Sequence, residues 1–310
     1  MMMARKPLLA LLFDTFFFAF FLWGCEAITT PASAIEITDG LERVVRLEEP
    51  AQRIVSMAPS NTENLFAVGA GDQVVGRDEF SDFPAEASSI SSVGGGFGDY
   101  NYEAIVNLQP DLVIAAEINT SDQVKALEDL GITVFYLKNP TSLEDMYANL
   151  VTIARLTGHE GEAASLVESL KARVSVIEEK LGEVSERPKV FYELDATDPN
   201  APYTAAAGTF IDTLIGQAGG ENIASDLGGQ YIPISAEELL LQNPEIILLG
   251  DAAYGITPET VIARPGWEAI DAVKNQRIFA FDDNLASRPG PRLVDGLEAL
   301  AMLLHPELFQ

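Results

Sequence analysis

The sequence predicts an α/β protein with two lobes, mainly parallel sheets and one long joining helix, and three observations carry that expectation. Short apolar runs alternate with stretches of helical spacing along most of the chain, the pattern of a parallel sheet covered on both faces. A phrase at 101–116, NYEAIVNLQPDLVIAA, returns at 235–250 as SAEELLLQNPEIILLG, which places Glu103 and Glu237 134 positions apart. Between the copies, EGEAASLVESLKARVSVIEEKL at 160–181 reads as one amphipathic helix of about 20 residues, roughly 30 Å long.

The chain opens with Arg5 and Lys6, then an apolar run from Pro7 to Trp23 broken by Asp14. It is too short and too flawed for a comfortable membrane span and reads as an export signal. Two processing sites compete. LWGC at 22–25 makes Cys25, the only cysteine, the lipid-bearing residue of a lipoprotein, whereas Ala32-Ser33-Ala34 is a small-x-small site that would discard it. The lipoprotein is the expectation. IEITDGLERVVRLEE at 35–49 alternates around Asp39-Gly40 as a hairpin. RIVSMAPSNTENLFAVGAG at 53–71 runs from strand into helix, with Ser60 and Glu63 spaced as a capping box.

QVVGRDEFSDFP then adds a strand and an aromatic loop, and VGGGFGDY leads into the first copy of the phrase. A helix near 121–130, the strand ITVFYL at 132–137 and a helix near 143–156 complete the first lobe. After Pro188, KVFYEL at 189–194 starts a second series with a helix at 209–220, the second phrase and the strand RIFAFD at 277–282. The final helix, 291–305, is opened by Pro291 at the favoured first position. The expected division is therefore a signal and tether at 1–34, a lobe at 35–158, a linking helix at 159–186 and a lobe at 187–310.

The 47% hydrophobic content of the 310 residues suffices for two packed lobes. Removing residues 1–24 leaves 17 basic against 46 acidic residues, a net charge of −29. Nucleic acid and anionic membrane surfaces repel such a chain, and a docking partner should present positive charge. With no cysteine after Cys25, neither a disulfide nor a thiolate metal site is available.

Enzyme readings find little support. His159 falls between two helices and His305 at a helix end; there is no G-x-S-x-G, no clustered zinc ligand set, and GGGFG lacks dinucleotide-fingerprint spacing. Hydrolysis by a pair of carboxylates stays open, although nothing singles out a pair. Binding readings do better, because two α/β lobes meet at a cleft where loops at the strand ends hold ligands. Those loops are aromatic, with Phe80, Phe83, Phe97, Tyr100, Tyr203, Tyr231 and Tyr254, and suit a large, planar or rigid ligand. Arg288 and Arg292 flank the start of the last helix, where the dipole disfavours cations, so an anion nearby would help explain them. Asn101 and Ser235 look like helix caps; Ser235 with Glu238 makes a capping box, which leaves Glu237 unneeded there.

Taken in order, RIVSMAPSNTENLFAVGAG, the loop ending FSDFP, NYEAIVNLQPDLVIA, GGENIA at 219–224, SAEELL and SRPGPRLVDGLEAL resemble the substrate-binding proteins of ABC importers for cobalamin, haem and ferric siderophores. The likeness spans about residues 50–305. It implies two Rossmann-like lobes on one long helix with limited hinge motion, and a binding role without catalysis or cofactor. It implies that Phe80, Phe97, Tyr203, Tyr231 and Arg288 face the ligand, and that Glu103 and Glu237 dock on arginines of a two-fold permease served by ATPase subunits. The protein would work outside the cytoplasm, lipid-anchored through Cys25. The FSDFP and GGENIA segments favour a corrinoid, ahead of a ferric siderophore and then haem, for which Tyr203 or Tyr231 would offer a phenolate. Cobalamin binders often place tryptophans in the cleft, whereas Trp267, the only Trp beyond the signal, lies outside the matched positions. An exported hydrolase and a ligand sensor without a transporter are the readings from other classes.

Overall fold

The structure is a computed structural model that describes Met1 and residues 34–96, 99–182 and 184–309. Cys25 and Phe97 lie outside the described residues, and all that follows concerns the chain from Ala34 onward. Among the described residues no helix is long and apolar enough to cross a membrane.

An antiparallel hairpin, β1 (Ile35–Thr38) and β2 (Val44–Leu47), opens the chain. Its turn is held by Asp39, whose carboxylate accepts from the N–H of Leu41, Arg43 and Tyr136 and pairs with the Arg43 guanidinium. The first lobe continues through β3 (Ile54–Ser56), α1 (Pro59–Ala67), β4 (Val74–Arg77), α2 (Tyr102–Asn107), β5 (Leu112–Ala116), α3 (Ser121–Asp129), β6 (Val134–Leu137) and α4 (Leu143–Thr157). Its sheet is parallel in the order β4-β3-β5-β6. The helix α5 (Glu160–Leu181) crosses to β7 (Lys189–Glu193), β8 (Tyr203–Ala205), α6 (Phe210–Gln217), β9 (Glu221–Asn222), β10 (Tyr231–Pro233), α7 (Ala236–Gln242) and β11 (Ile246–Leu249). The short helices α8 (Pro258–Ile262) and α9 (Asp271–Lys274), β12 (Ile278–Ala280), α10 (Asn284–Ser287) and α11 (Leu293–Leu304) follow. The second sheet is parallel in the order β12-β11-β7-β9, and β8 pairs with β10 as a separate two-stranded antiparallel sheet. In both sheets the chain builds one side and then returns to build the other. Strand order therefore reverses between β3 and β5, and again between β7 and β11.

Every central strand is apolar on both faces, and its alternate residues enter different cores. Val55, Val113, Ala115, Val134 and Tyr136 pack under α2 and α3. Phe191, Ile247, Leu249 and Ile278 pack with Trp267 on the outer face of the second sheet. The opposite faces of the two sheets do not have separate cores. Ile54, Leu112 and Ile114 join Val190, Tyr192, Ile246 and Leu248 in one cluster, through Leu170, Val174 and Ile177 of α5 and the buried face of α11. The linking helix is thus a shared wall of both lobes.

The repeated phrase has a structural cause in each lobe. Asn101 caps α2 by accepting from Ala104 N (2.9 Å), and Ser235 caps α7 by accepting from Glu238 N (3.1 Å). After each helix a residue takes left-handed φ, Gln109 at 47° and Asn243 at 51°, and a proline follows. The acid after the proline then reaches the start of the neighbouring strand. Asp111 accepts from Gln52 N and Arg53 N (2.8 and 3.0 Å), and Glu245 accepts from Lys189 N (3.2 Å).

Three local expectations are corrected. The helix α1 begins at Pro59 with Ala58 as its cap, so Ser60 lies inside the helix and forms no capping box with Glu63. The Ser235 box is half formed, because the Glu238 side chain accepts from Gln242 instead of reaching back to the cap. Pro291 precedes α11 by two residues. The carbonyls of Gly290 and Pro291 close three-residue turns onto Leu293 and Val294 (3.0 and 3.2 Å), tighter than an α-helix.

Candidate ligand cleft

The carboxyl ends of both sheets carry the loops where open α/β folds hold ligands. In the first lobe the loop after β4 is built on Asp78, which is buried and accepts from Phe80 N (2.8 Å) and from the Ser81 hydroxyl. Burial raises the Asp78 carboxyl, partly offset by those hydrogen bonds. The Arg77 guanidinium pins the loop from behind by donating to the carbonyls of Ala87 and Asp78 (2.9 and 2.8 Å). So held, the loop presents the rings of Phe80 and Phe83, each roughly 40% exposed. Tyr100 is different. It is buried, donates to Met57 O (2.8 Å), accepts from Asn119 (2.8 Å) and serves as a core pin.

In the second lobe the two-stranded β8–β10 sheet supplies the aromatic surface. Tyr231 stands opposite Ala205, and Ala205 is two residues from Tyr203, so both phenols project from one face of that sheet. Tyr203 is 48% exposed and Tyr231 59%. Tyr231 is accessible to water. Burial raises its phenol, and so do the carboxylates of Asp283 beyond β12 in its own lobe and Glu117 at the end of β5 in the other. Asp283 is itself raised by burial while accepting from Tyr192 (2.9 Å) and Ser287 (2.8 Å).

Arg288 and Arg292 are not waiting for an anion. Glu63, buried in α1 of the first lobe, accepts from Arg288 Nη1 (3.1 Å) and from Arg292 Nε (2.8 Å) and Nη2 (2.5 Å). Asp82 takes a second bond from Arg288 (2.6 Å), and the Arg292 guanidinium lies 3.9 Å from the centre of the Phe83 ring. Burial would raise Asp82, but Arg288 overrides it and holds the carboxyl below the usual range. Arg288 Nη2 also donates to Phe80 O at 3.5 Å. The expected anion is therefore part of the protein, supplied by the residue that the capping-box reading had assigned elsewhere.

Among the expected ligand-facing residues, the structure brings Phe80 to Arg288 and sets Tyr203 beside Tyr231, while Phe97 lies outside the described residues. Glu103 and Glu237 each occupy the first turn of their helix, are exposed, and make no hydrogen bond or ion pair among the described residues. His159 precedes α5, and His305 is buried against Gly219 O (3.1 Å). Trp267 is in the core, stacked under Arg264 at 4.5 Å and edge-on to Phe191 at 6.3 Å. The sequence did not single out Asp82, Glu117 or Asp283, and it gave Glu63 only a capping role; of the four, only Asp82 lies within an aromatic loop, FSDFP.

The family model described as periplasmic binding protein matches residues 54–285. The chain belongs to that family. Among curated proteins, this binding protein is 34% identical over 286 residues to an ABC transporter substrate-binding lipoprotein of Bacillus subtilis, covering 91% of this chain and 88% of that one. It is 30% identical over 279 residues to a cobalamin-binding protein of Halobacterium salinarum, covering 86% and 73%. Among solved structures it superposes on the periplasmic vitamin B12-binding protein of Vibrio cholerae with TM-score 0.72 at 26% identity, over 84% of this chain and 99% of that one. The periplasmic haem-binding protein of Roseiflexus gives TM-score 0.74 at 26% identity, over 83% and 99%. The two-lobe fold on one long helix is common ground, and this binding protein is the substrate-binding component of an ABC importer.

Proposed function

We propose that this binding protein captures a corrinoid between its lobes outside the cytoplasm and delivers it, chemically unchanged, to an ABC permease dimer with its ATPase subunits. Phe80, Phe97, Tyr203 and Tyr231 form the walls, Arg288 closes one end, Glu103 and Glu237 meet the permease, and Cys25 carries a lipid. The observation that carries the choice of ligand is the charge around Tyr231. Both arginines beside the aromatic loop are already paired with Glu63 and Asp82, while Asp283 and Glu117 form no ion pair among the described residues. A ligand carboxylate about 6 Å from such a carboxylate costs roughly 3 kcal/mol at an effective dielectric constant of 20. Haem brings two propionates and many ferric catecholates are polyanions, whereas a corrinoid is fringed with uncharged carboxamides. The cobalamin-binding relative at 30% identity agrees.

Isothermal titration with cyanocobalamin, haemin, cationic ferrioxamine B and an anionic ferric catecholate tests this order. Cyanocobalamin should bind most tightly and be recovered intact, with both anionic chelates weakest. Tighter binding of haemin or the catecholate, or turnover of any ligand, would overturn the reading.

A further inference from the structure

A second recess opens on the same edge of the second lobe, beside the β8–β10 sheet. It is a cavity of about 530 Å³ lined by Leu194, Asp195, Ala196, Asp251, Tyr254 and Ile256 among others. Its position is not arbitrary: it lies at the carboxyl ends of β7 and β11, the point where strand order reverses in that sheet. Gly250 brings the backbone there into close contact with Tyr192, since a Cβ would lie 2.6 Å from that ring. This close approach draws Asp251 in against β7.

Asp251 is 3% exposed. Its Oδ2 accepts from Ala196 N (3.1 Å), which ties the two walls together, and its Oδ1 is buried with no hydrogen-bond partner among the described residues. Burial first, and the neighbouring Glu193 second, push this carboxyl up to about 6. The groups facing it are Glu193 at the end of β7 and Arg264 in the loop after α8, already joined to each other in a buried pair (2.8 Å). A buried acceptor left unpaired bears its full desolvation penalty, so the site is completed by a hydrogen-bond donor. Asp195, on the opposite wall, pairs in a backbone bridge with Tyr203, so the cavity adjoins the aromatic surface.

We propose that this cavity is a subsite for an N–H-bearing arm of the bound chelate, with Asp251 as the acceptor. The inference rests on the corrinoid reading above, whose peripheral carboxamides are such arms; the ammonium tail of ferrioxamine B is the other source of the same chemistry.

The test is to follow the backbone amide signals of Ala196 and Asp251 by NMR while the full chain is titrated with cyanocobalamin, ferrioxamine B and, separately, propionamide. Affinities of Asp251→Ala and Asp251→Asn are measured alongside. The expected result is saturable displacement of both amides by cyanocobalamin, about tenfold weaker binding in Asp251→Ala and less than about threefold in Asp251→Asn, which keeps an acceptor. If ferrioxamine B alone produces these effects, the arm is an ammonium: the subsite stands and the corrinoid falls. Binding of a chelate with the two amides unmoved, or with Asp251→Ala unaffected, means that water alone fills the cavity and overturns the subsite while leaving the transport reading intact. If no chelate binds the wild-type protein, the transport reading fails by itself. The propionamide titration then decides the subsite, since displacement of the two amides supports it and their silence rejects it. Should Asp251→Ala fail to fold, Asp251→Asn and the wild-type spectra carry the decision.

Discussion

Glu63 binds the two lobes together in a way that its neighbours in sequence do not reveal. It is buried within α1, and its cationic partners among the described residues lie 225 and 229 positions later. Removing it would leave Arg288, 17% exposed, with the exposed Asp82, and Arg292, 14% exposed, with no ion pair among the described residues. Stripping one partner from a largely buried charge cluster costs about 3 kcal/mol, most of it from the charge left behind. Urea denaturation of Glu63→Ala should show a loss of that size, and a loss below about 1 kcal/mol would mean that water screens the cluster. The same residue explains why the sequence misled at this point. Ser60 and Glu63 have the spacing of a capping box, but Pro59 already occupies the first helical turn and Ala58 the cap. A local rule was satisfied on paper while a long-range ion pair held the side chain. Spacing within one segment carries no information about a partner more than 200 residues away.

The repeated helix-strand unit was the most legible element. Its caps, its proline and its buried strand all appear where the phrase places them, because each is fixed by short-range chemistry: an oxygen acceptor at the cap, a left-handed residue to stop the helix, and an apolar run to enter the sheet. The long helix was legible to the residue, since α5 spans 160–181 as its spacing indicated. What the phrase did not disclose was the duty of Asp111 and Glu245, which tether strands sixty or so residues away in sequence. Glu103 and Glu237 contrast with them, being exposed at equivalent positions of two equivalent helices and unpaired among the described residues. In the proposed docking role, two acids so placed would present like faces to a two-fold permease, and rim charges of this kind guide encounter and register more than they hold. Replacing both, Glu103→Arg with Glu237→Arg, should abolish uptake through the cognate permease while cyanocobalamin affinity stays within about twofold in titration. A large simultaneous loss of affinity would reject the docking assignment.

The molecule as a whole departs from a picture of two independent halves on a rod. One core runs from the first sheet through α5 to the second, while the outer face of each sheet keeps its own. Composition and periodicity announced two α/β series, yet they could not show this sharing, because an apolar face reads the same whichever lobe it packs against. The shared core resists wide separation of the lobes, and the Glu63 cluster joins them near the opening. Ligand entry is then expected through small displacements around the aromatic walls. The central claim, a corrinoid seated between those walls, is tested most directly by cobalt anomalous scattering from crystals grown with cyanocobalamin. The account predicts a single strong cobalt peak between the Phe80 and Phe83 loop and the strands that carry Tyr203 and Tyr231; a peak elsewhere on the protein, or crystals of the saturated protein with no cobalt in that crevice, would contradict it.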